Sequence, residues 1–299
     1  MQTALGAPNT TGTRRPGLLG WLLMAPMLAW LVAFVIAPTI ILLVYSFCQR
    51  DDLGQVVYAF TWDNYRRIFF DADTGHFGTT YFTVFIRSVI YAGLTTVICL
   101  VVGYPVAWFI GRAPESRRNL LLTLVMIPFW TSFLIRTYAW ITILSTNGLL
   151  NGLLQYTKLI EEPWEMLYTP GAVVLGLVYS YLPFLILPVY GSVEKLDNSL
   201  VEAAFDLGAG PVRAFQRVIL PLTQPGIVAG VLLVFIPAIG MFAISQLMGG
   251  GTEPTIGEVI QNQFLQARDW AFGSALGMTL VILFAVAFWF TARRQTADS

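Results

Sequence analysis

Val201–Gly226 reads VEAAFDLGAGPVRAFQRVILPLTQPG, a polar interval set between two strongly apolar stretches. Glu202-Ala203-Ala204 opens a helical run, Gly208 and Gly210 interrupt it, and Pro211 suits the first position of a second short helix. Leu220-Pro221 is expected to stop that second helix. The two alanines leave a low-relief face, while Glu202 and Asp206, four residues apart, set carboxylates one turn from each other. Arg213 and Arg217 repeat that spacing on the second helix. A rigid polar hairpin, anchored at both ends to apolar helices, suits the transmission of a push from another protein.

The flanks extend this pattern over the whole chain. Of 299 residues, 56% are hydrophobic and only 11% charged, and the mean hydropathy is +0.68, well outside the range of soluble domains. This is the composition of an all-α integral membrane protein. Net charge is zero and basic residues are confined to short loops, so no nucleic-acid partner is expected. Cys48 and Cys99 are the only cysteines and read as packing residues; His76, the one histidine, reads as a solvated side chain near Asp71 and Asp73.

A membrane-crossing helix needs about 20 apolar residues, and six stretches qualify: 18–47, 83–110, 120–144, 172–190, 227–247 and 271–291. A polar tail at 1–17, a long external loop at 48–82 and a C-terminal tail at 292–299 complete the layout. Pro26 and Pro38 are expected to kink the first span or mark its ends. In the external loop, Asp63 is expected to cap a surface helix over 65–70, and the doubled motif NGLL at 147–154 a further short interfacial helix.

Arg14, Arg15, Arg112, Arg117, Arg118, Lys195, Arg213, Arg217, Arg293 and Arg294 fall on one side of this layout, ten in all; Arg50, Arg66, Arg67, Lys158 and Arg268, five, fall on the other. The bias places both termini and the Val201–Gly226 hairpin on the cytoplasmic side of the membrane.

No Gly-Lys dipeptide occurs, and Lys158 and Lys195 are the only lysines. A Walker A loop needs that lysine, so any ATP-driven step belongs to a partner. Arg136, in the third span, is costly at membrane depth. It either snorkels to the interface or lines a hydrated path, with Phe129, Trp130, Tyr138 and Trp140 as cation–π or stacking partners. No Asp or Glu falls within the six spans, so a cation crossing them would meet aromatic faces, hydroxyls such as Ser132, Tyr179, Ser180 and Tyr181, and the Gln246 amide. Pro183, Pro188, Pro237 and Gly240 break backbone hydrogen bonds in the spans that flank the hairpin, either where these line a cavity or as kinks that satisfy packing.

The spacing of Glu202-Ala203-Ala204, Gly208, Leu220 and Pro221 resembles the EAA signature of the permease subunits of binding-protein-dependent ABC importers, with Val218 in place of the usual isoleucine. PFWTSFLIRTYAW (128–140) followed by NGLLN (147–151) is similar to the spermidine/putrescine, or PotB-like, branch. The resemblance implies the type I (MetI-like) permease fold and an alternating-access cycle for a polyamine or related amino compound. It implies a second permease, two cytoplasmic ATPases carrying ATP and Mg, an external solute-binding protein and the lipid bilayer as partners. No cofactor is expected on this chain. Glu202, Ala203, Ala204, Asp206, Gly208, Arg213, Leu220 and Pro221 would form the ATPase-coupling segment within 199–222; Phe129, Trp130, Ser132, Arg136, Tyr138, Tyr179, Tyr181 and Gln246 would line the pathway.

An ion-coupled transporter or channel is the main rival. It would carry an intramembrane acid or an inverted repeat, and neither is visible in the spans. A membrane-embedded enzyme has less support, since no cluster of His, Asp or Cys lies at membrane depth.

Overall fold

The computed structural model describes residues 18–51, 54–70, 78–252 and 254–297. The N-terminal tail, His76, Asp71 and Asp73 lie outside them.

Helices α1 (Leu18–Leu31) and α2 (Ala37–Ser46) form a continuous apolar rod through a π-turn at Val32–Ile36. The turn answers Pro38. A proline ring collides with the carbonyl four residues back, here that of Phe34, and the backbone widens until the Ala37 N–H bonds the Val32 carbonyl instead. The chain then makes a two-residue antiparallel ribbon, β1 (Gln49–Arg50) with β2 (Val56–Val57), a small departure from the all-helical expectation. Helix α3 (Asp63–Phe69) follows. Asp63 is its first residue rather than a cap further upstream of the turn, and its carboxylate accepts from the Thr61 hydroxyl at 2.8 Å. Phe47 packs on Phe60, Trp62 and Tyr65, with ring centroids 4.9 to 5.4 Å apart, and pins this segment to the end of α2.

Helix α4 (Thr80–Arg112) is a single long span. The stretch 120–144, expected as one straight helix, is broken into α5 (Glu115–Trp130) and α6 (Phe133–Leu144), and the run from Phe133 to Tyr156 is inclined at 85° to α5. Pro128 removes a backbone donor, Thr131 and Ser132 turn extended, and the Thr131 hydroxyl donates to the Pro128 carbonyl at 2.7 Å. Helix α7 (Leu149–Tyr156) forms over the repeated NGLL motif, its loop tied down by buried Asn151, which bonds the Ser145 and Trp164 carbonyls and the Trp164 N–H.

Helix α8 (Pro170–Glu194) leads into α9 (Asn198–Asp206), α10 (Pro211–Ala214), a π-turn at Phe215–Ile219 and α11 (Leu220–Gly240). Leu220-Pro221 therefore does not stop the second helix of the hairpin. As at Pro38, the clash is absorbed by a π-turn, with the Leu220 N–H bonding the Phe215 carbonyl, and the helix runs on from Pro211 to Gly240. The break comes later, at Met241, where ψ swings to 106°. Gln246 thus sits on a separate helix, α12 (Phe242–Gly249), and not on the fifth span. Helix α13 (Ile256–Leu265) and the long α14 (Trp270–Ala297) close the chain, the latter running through the residues expected as a tail.

The core is α4, α8 and α11 packed side by side. Gly111 lets α4 close onto Val193 of α8, and Gly226 lets α11 close onto Pro188 and Ser192 of α8; at both, a Cβ would overlap its neighbour. Among the described residues, Met24–Ser46, Thr80–Arg112, Pro170–Glu194 and Pro211–Gly240 are long and apolar enough to cross a membrane; the bent pair makes a fifth, and Trp270–Val286 is a shorter apolar stretch.

Candidate coupling segment and solute pathway

The candidate coupling hairpin is built by local rules. Asp197 caps α9, accepting from the Ser199 N–H at 2.9 Å. At the other end Gly208 takes φ +80°, its N–H bonds the Phe205 carbonyl at 2.9 Å, and the Ala209 N–H bonds the Ala204 carbonyl at 3.0 Å. These two bonds with a left-handed glycine are a Schellman cap. Gly208 is thus the residue that ends α9 and turns the chain toward Pro211. Glu202, Ala203, Asp206, Arg213, Leu220 and Pro221 are exposed, and Ala204 is half-buried. Leu207 is 89% and Val212 70% exposed. Two nearly bare apolar side chains on a polar elbow lack a surface to pack on among the described residues.

The hairpin is wired to the core from both sides. Arg118 bonds Glu194, at the end of α8, at 2.7 Å and reaches the Gly111 and Ala113 carbonyls. Tyr104 on α4 shares a hydrogen bond of 3.1 Å with Thr223 on α11, and its ring meets Phe215 edge-on at 5.6 Å. Buried Leu196 and Ala214 anchor the two arms. These contacts join the elbow to α8 and α11, which share one interface.

The expected pathway residues separate into groups. Arg136 lies 5.8 Å from the Tyr179 ring, and Tyr179 meets Trp140 at 5.6 Å. Tyr179 is therefore the cation–π partner, in place of the neighbours expected from Arg136's own stretch, because the break at Thr131–Ser132 turns α6 toward α8. Arg136 Nε is buried with no hydrogen bond among the described residues. Phe129 packs on Phe184, which also contacts Tyr181. Trp130, Ser132, Tyr138 and Gln246 are exposed and are not drawn into either cluster.

Two buried carboxylates went unnoticed in the sequence because both lie between the expected spans. Asp269 is 3% exposed; it caps α14 through the Phe272 N–H and accepts from Arg67 at 3.1 Å, with Arg50 at 3.8 Å. Arg67 also stacks on Phe272. Glu258, on α13, is 4% exposed and accepts from the Ser245 hydroxyl of α12 at 2.7 Å. The available signal was Thr255-x-x-Glu258, the spacing of a capping box.

Apolar helices long enough to cross a membrane, joined by an exposed elbow that is wired to their core, define a membrane permease. The chain belongs to the family described as binding-protein-dependent transport system inner membrane component, whose model matches residues 103–294. It is 47% identical over 270 residues to the spermidine/putrescine transport system permease protein PotB of Salmonella typhimurium (strain SL1344), covering 89% of this chain and 91% of that protein. It is 45% identical to PotB of Escherichia coli (strain K12), covering 91% and 97%. The fold matches a chain of a bacterial alginate ABC transporter, crystallised with an alginate pentasaccharide-bound periplasmic protein, with a TM-score of 0.72 at 17% identity over 91% of this chain and 92% of that one.

Proposed function

We propose that the chain is the permease subunit of an ATP-driven importer that carries spermidine and putrescine across the inner membrane. The observation that carries this reading is the similarity to PotB, which extends through almost the full length of both proteins. In the assembled importer a second permease, a copy or a paralogue, faces this one. Two ATPases holding ATP and Mg dock on the elbows, and an external binding protein delivers the solute. The membrane is crossed six times with both termini cytoplasmic, the bent α5–α6 pair and α14 supplying the third and sixth crossings.

Mechanistically, ATP-driven closure of the ATPases brings the elbows together, and the exposed face of α9 bearing Glu202 and Ala203 moves with them. The Gly208 cap keeps that face at a set angle to Pro211. The Arg118–Glu194 and Tyr104–Thr223 ties convey the motion to α8 and α11, and the gap between this permease and its partner opens outward. The test is reconstitution: the permease pair, ATPase and binding protein in proteoliposomes should take up labelled spermidine only with internal ATP. Uptake by this chain alone, or none by the full set, rejects the reading.

A further inference from the structure

The two carboxylates buried among the described residues are treated very differently by the fold. Asp269 has two arginines and a backbone N–H. Glu258, equally buried, has one serine hydroxyl, and among the described residues no Lys or Arg pairs with it. Burying a carboxylate without a cationic partner costs several kcal/mol in general, so a fold that retains one has a use for it.

Nor does Glu258 serve its own helix. Thr255 and Glu258 have the sequence spacing to bond each other's backbone N–H groups, yet Thr255 makes no side-chain cap, and its hydroxyl, 3% exposed, has no partner among the described residues. Glu258 instead turns across to Ser245, the neighbour of Gln246 on α12. The first turn of α13 is held from two further sides: the Ile256 N–H donates to Ser88 of α4 at 2.7 Å, and Gly257 lies against the backbone of Gly240, the last residue of α11. Helix α11 continues the coupling elbow, is followed directly by α12 and touches α13 where Gly257 meets Gly240, so the α12–α13 contact lies beside the helix that the elbow extends into.

On the reading that the cargo is a polyamine, we propose that Glu258 is a cation station on the solute path, accepting charge-assisted N–H···O bonds from an ammonium group when displacement of α11 parts α13 from α12. The chemistry selects an alkylammonium over a metal ion. One carboxylate and the Ser245 hydroxyl are too few hard ligands for a divalent cation, and no group of three metal-binding side chains occurs among the described residues. A single buried carboxylate suits transient binding, which permits release.

The test uses the full importer in proteoliposomes with spermidine-loaded binding protein. E258Q keeps an acceptor for Ser245 and removes the charge. Spermidine uptake per ATP hydrolysed should fall about tenfold, with stimulated hydrolysis within about twofold of parental, and E258D should restore most of the uptake. In the unmodified protein, a carbodiimide should couple spermidine to Glu258 during ATP-driven turnover and not without ATP, read by mass spectrometry. Parental uptake per ATP in E258Q, joint loss of uptake and hydrolysis in both variants, or absence of the ATP-dependent adduct overturns the proposal. Failure of the unmodified importer to take up spermidine instead overturns the cargo assignment on which it rests.

Discussion

Replacing Gly208 tests the mechanical role proposed for the elbow. Its φ of +80° lies where an L-residue is strained, and a Cβ there meets nothing within 4 Å, so the cost is conformational and not steric. That strain is about 1 kcal/mol for alanine and about 2 kcal/mol for β-branched valine, with asparagine below both because it tolerates the left-handed region. Since about 1.4 kcal/mol is a factor of ten in an equilibrium constant, the capped elbow loses several-fold in population in Gly208→Ala and about thirtyfold in Gly208→Val. Membrane insertion depends on the apolar helices and is unaffected. Uptake per ATP hydrolysed in proteoliposomes should fall in the order Asn, Ala, Val, at equal amounts of purified complex. Gly210, with φ −70° and equally open space, is the control, and Gly210→Ala should transport as the parent. Parental coupling in Gly208→Val, or an equal loss in Gly210→Ala, refutes the reasoning.

Three further outcomes follow from the geometry. Hydrogen bonds from the Ser199 backbone N–H and hydroxyl hold the Asp197 carboxyl below its ordinary range. The depressed value means that its cap is intact above the usual carboxylate pKa and is lost as pH falls through the lowered one; the amide protection factors in the first turn of α9, measured against the intrinsic rate at each pH, should hold at neutral pH and drop only in acid, and be low already at neutral pH in Asp197→Ala. Gly226→Ala drives a Cβ into the Pro188 carbonyl and Ser192 and should lower stability by about 1–3 kcal/mol in detergent melts, whereas Gly191→Ala, with open space, should not. Arg67→Ala should cost about 1–2 kcal/mol, less than for a fully buried pair because Arg67 is 43% exposed, and should be non-additive with Asp269→Ala in a double-mutant cycle.

Much of this molecule is legible in its sequence, for a physical reason: apolar runs of membrane length are a strong signal, and the elbow's Gly208 and Pro211 act through backbone preferences that travel with the residue. What sequence misses depends on how the backbone accommodates a local conflict. Pro221 and Pro128 carry the same steric clash, yet the first is absorbed by a π-turn and the second is followed by a sharp bend, with Thr131 and Ser132 in extended conformations. That difference moved Arg136 onto Tyr179 and left Trp130 and Tyr138 outside the cluster. Gln246 lies off the fifth span because the chain breaks at Met241, directly after Gly240, while the helix runs on through Pro237. Glu258 and Asp269 were passed over because hydropathy assigns them to loops, whereas tertiary packing buries them.

Leu207 offers the most direct measurement of whether the elbow is the contact through which an ATPase drives this permease. It is 89% exposed, and the native Cys48 and Cys99 are buried free thiols that give little background. Leu207→Cys should react with a membrane-impermeant maleimide only in inside-out vesicles, and assembly with the ATPase subunits should block it. Labelling from the outer face, or equal labelling with and without the ATPase, would contradict the account.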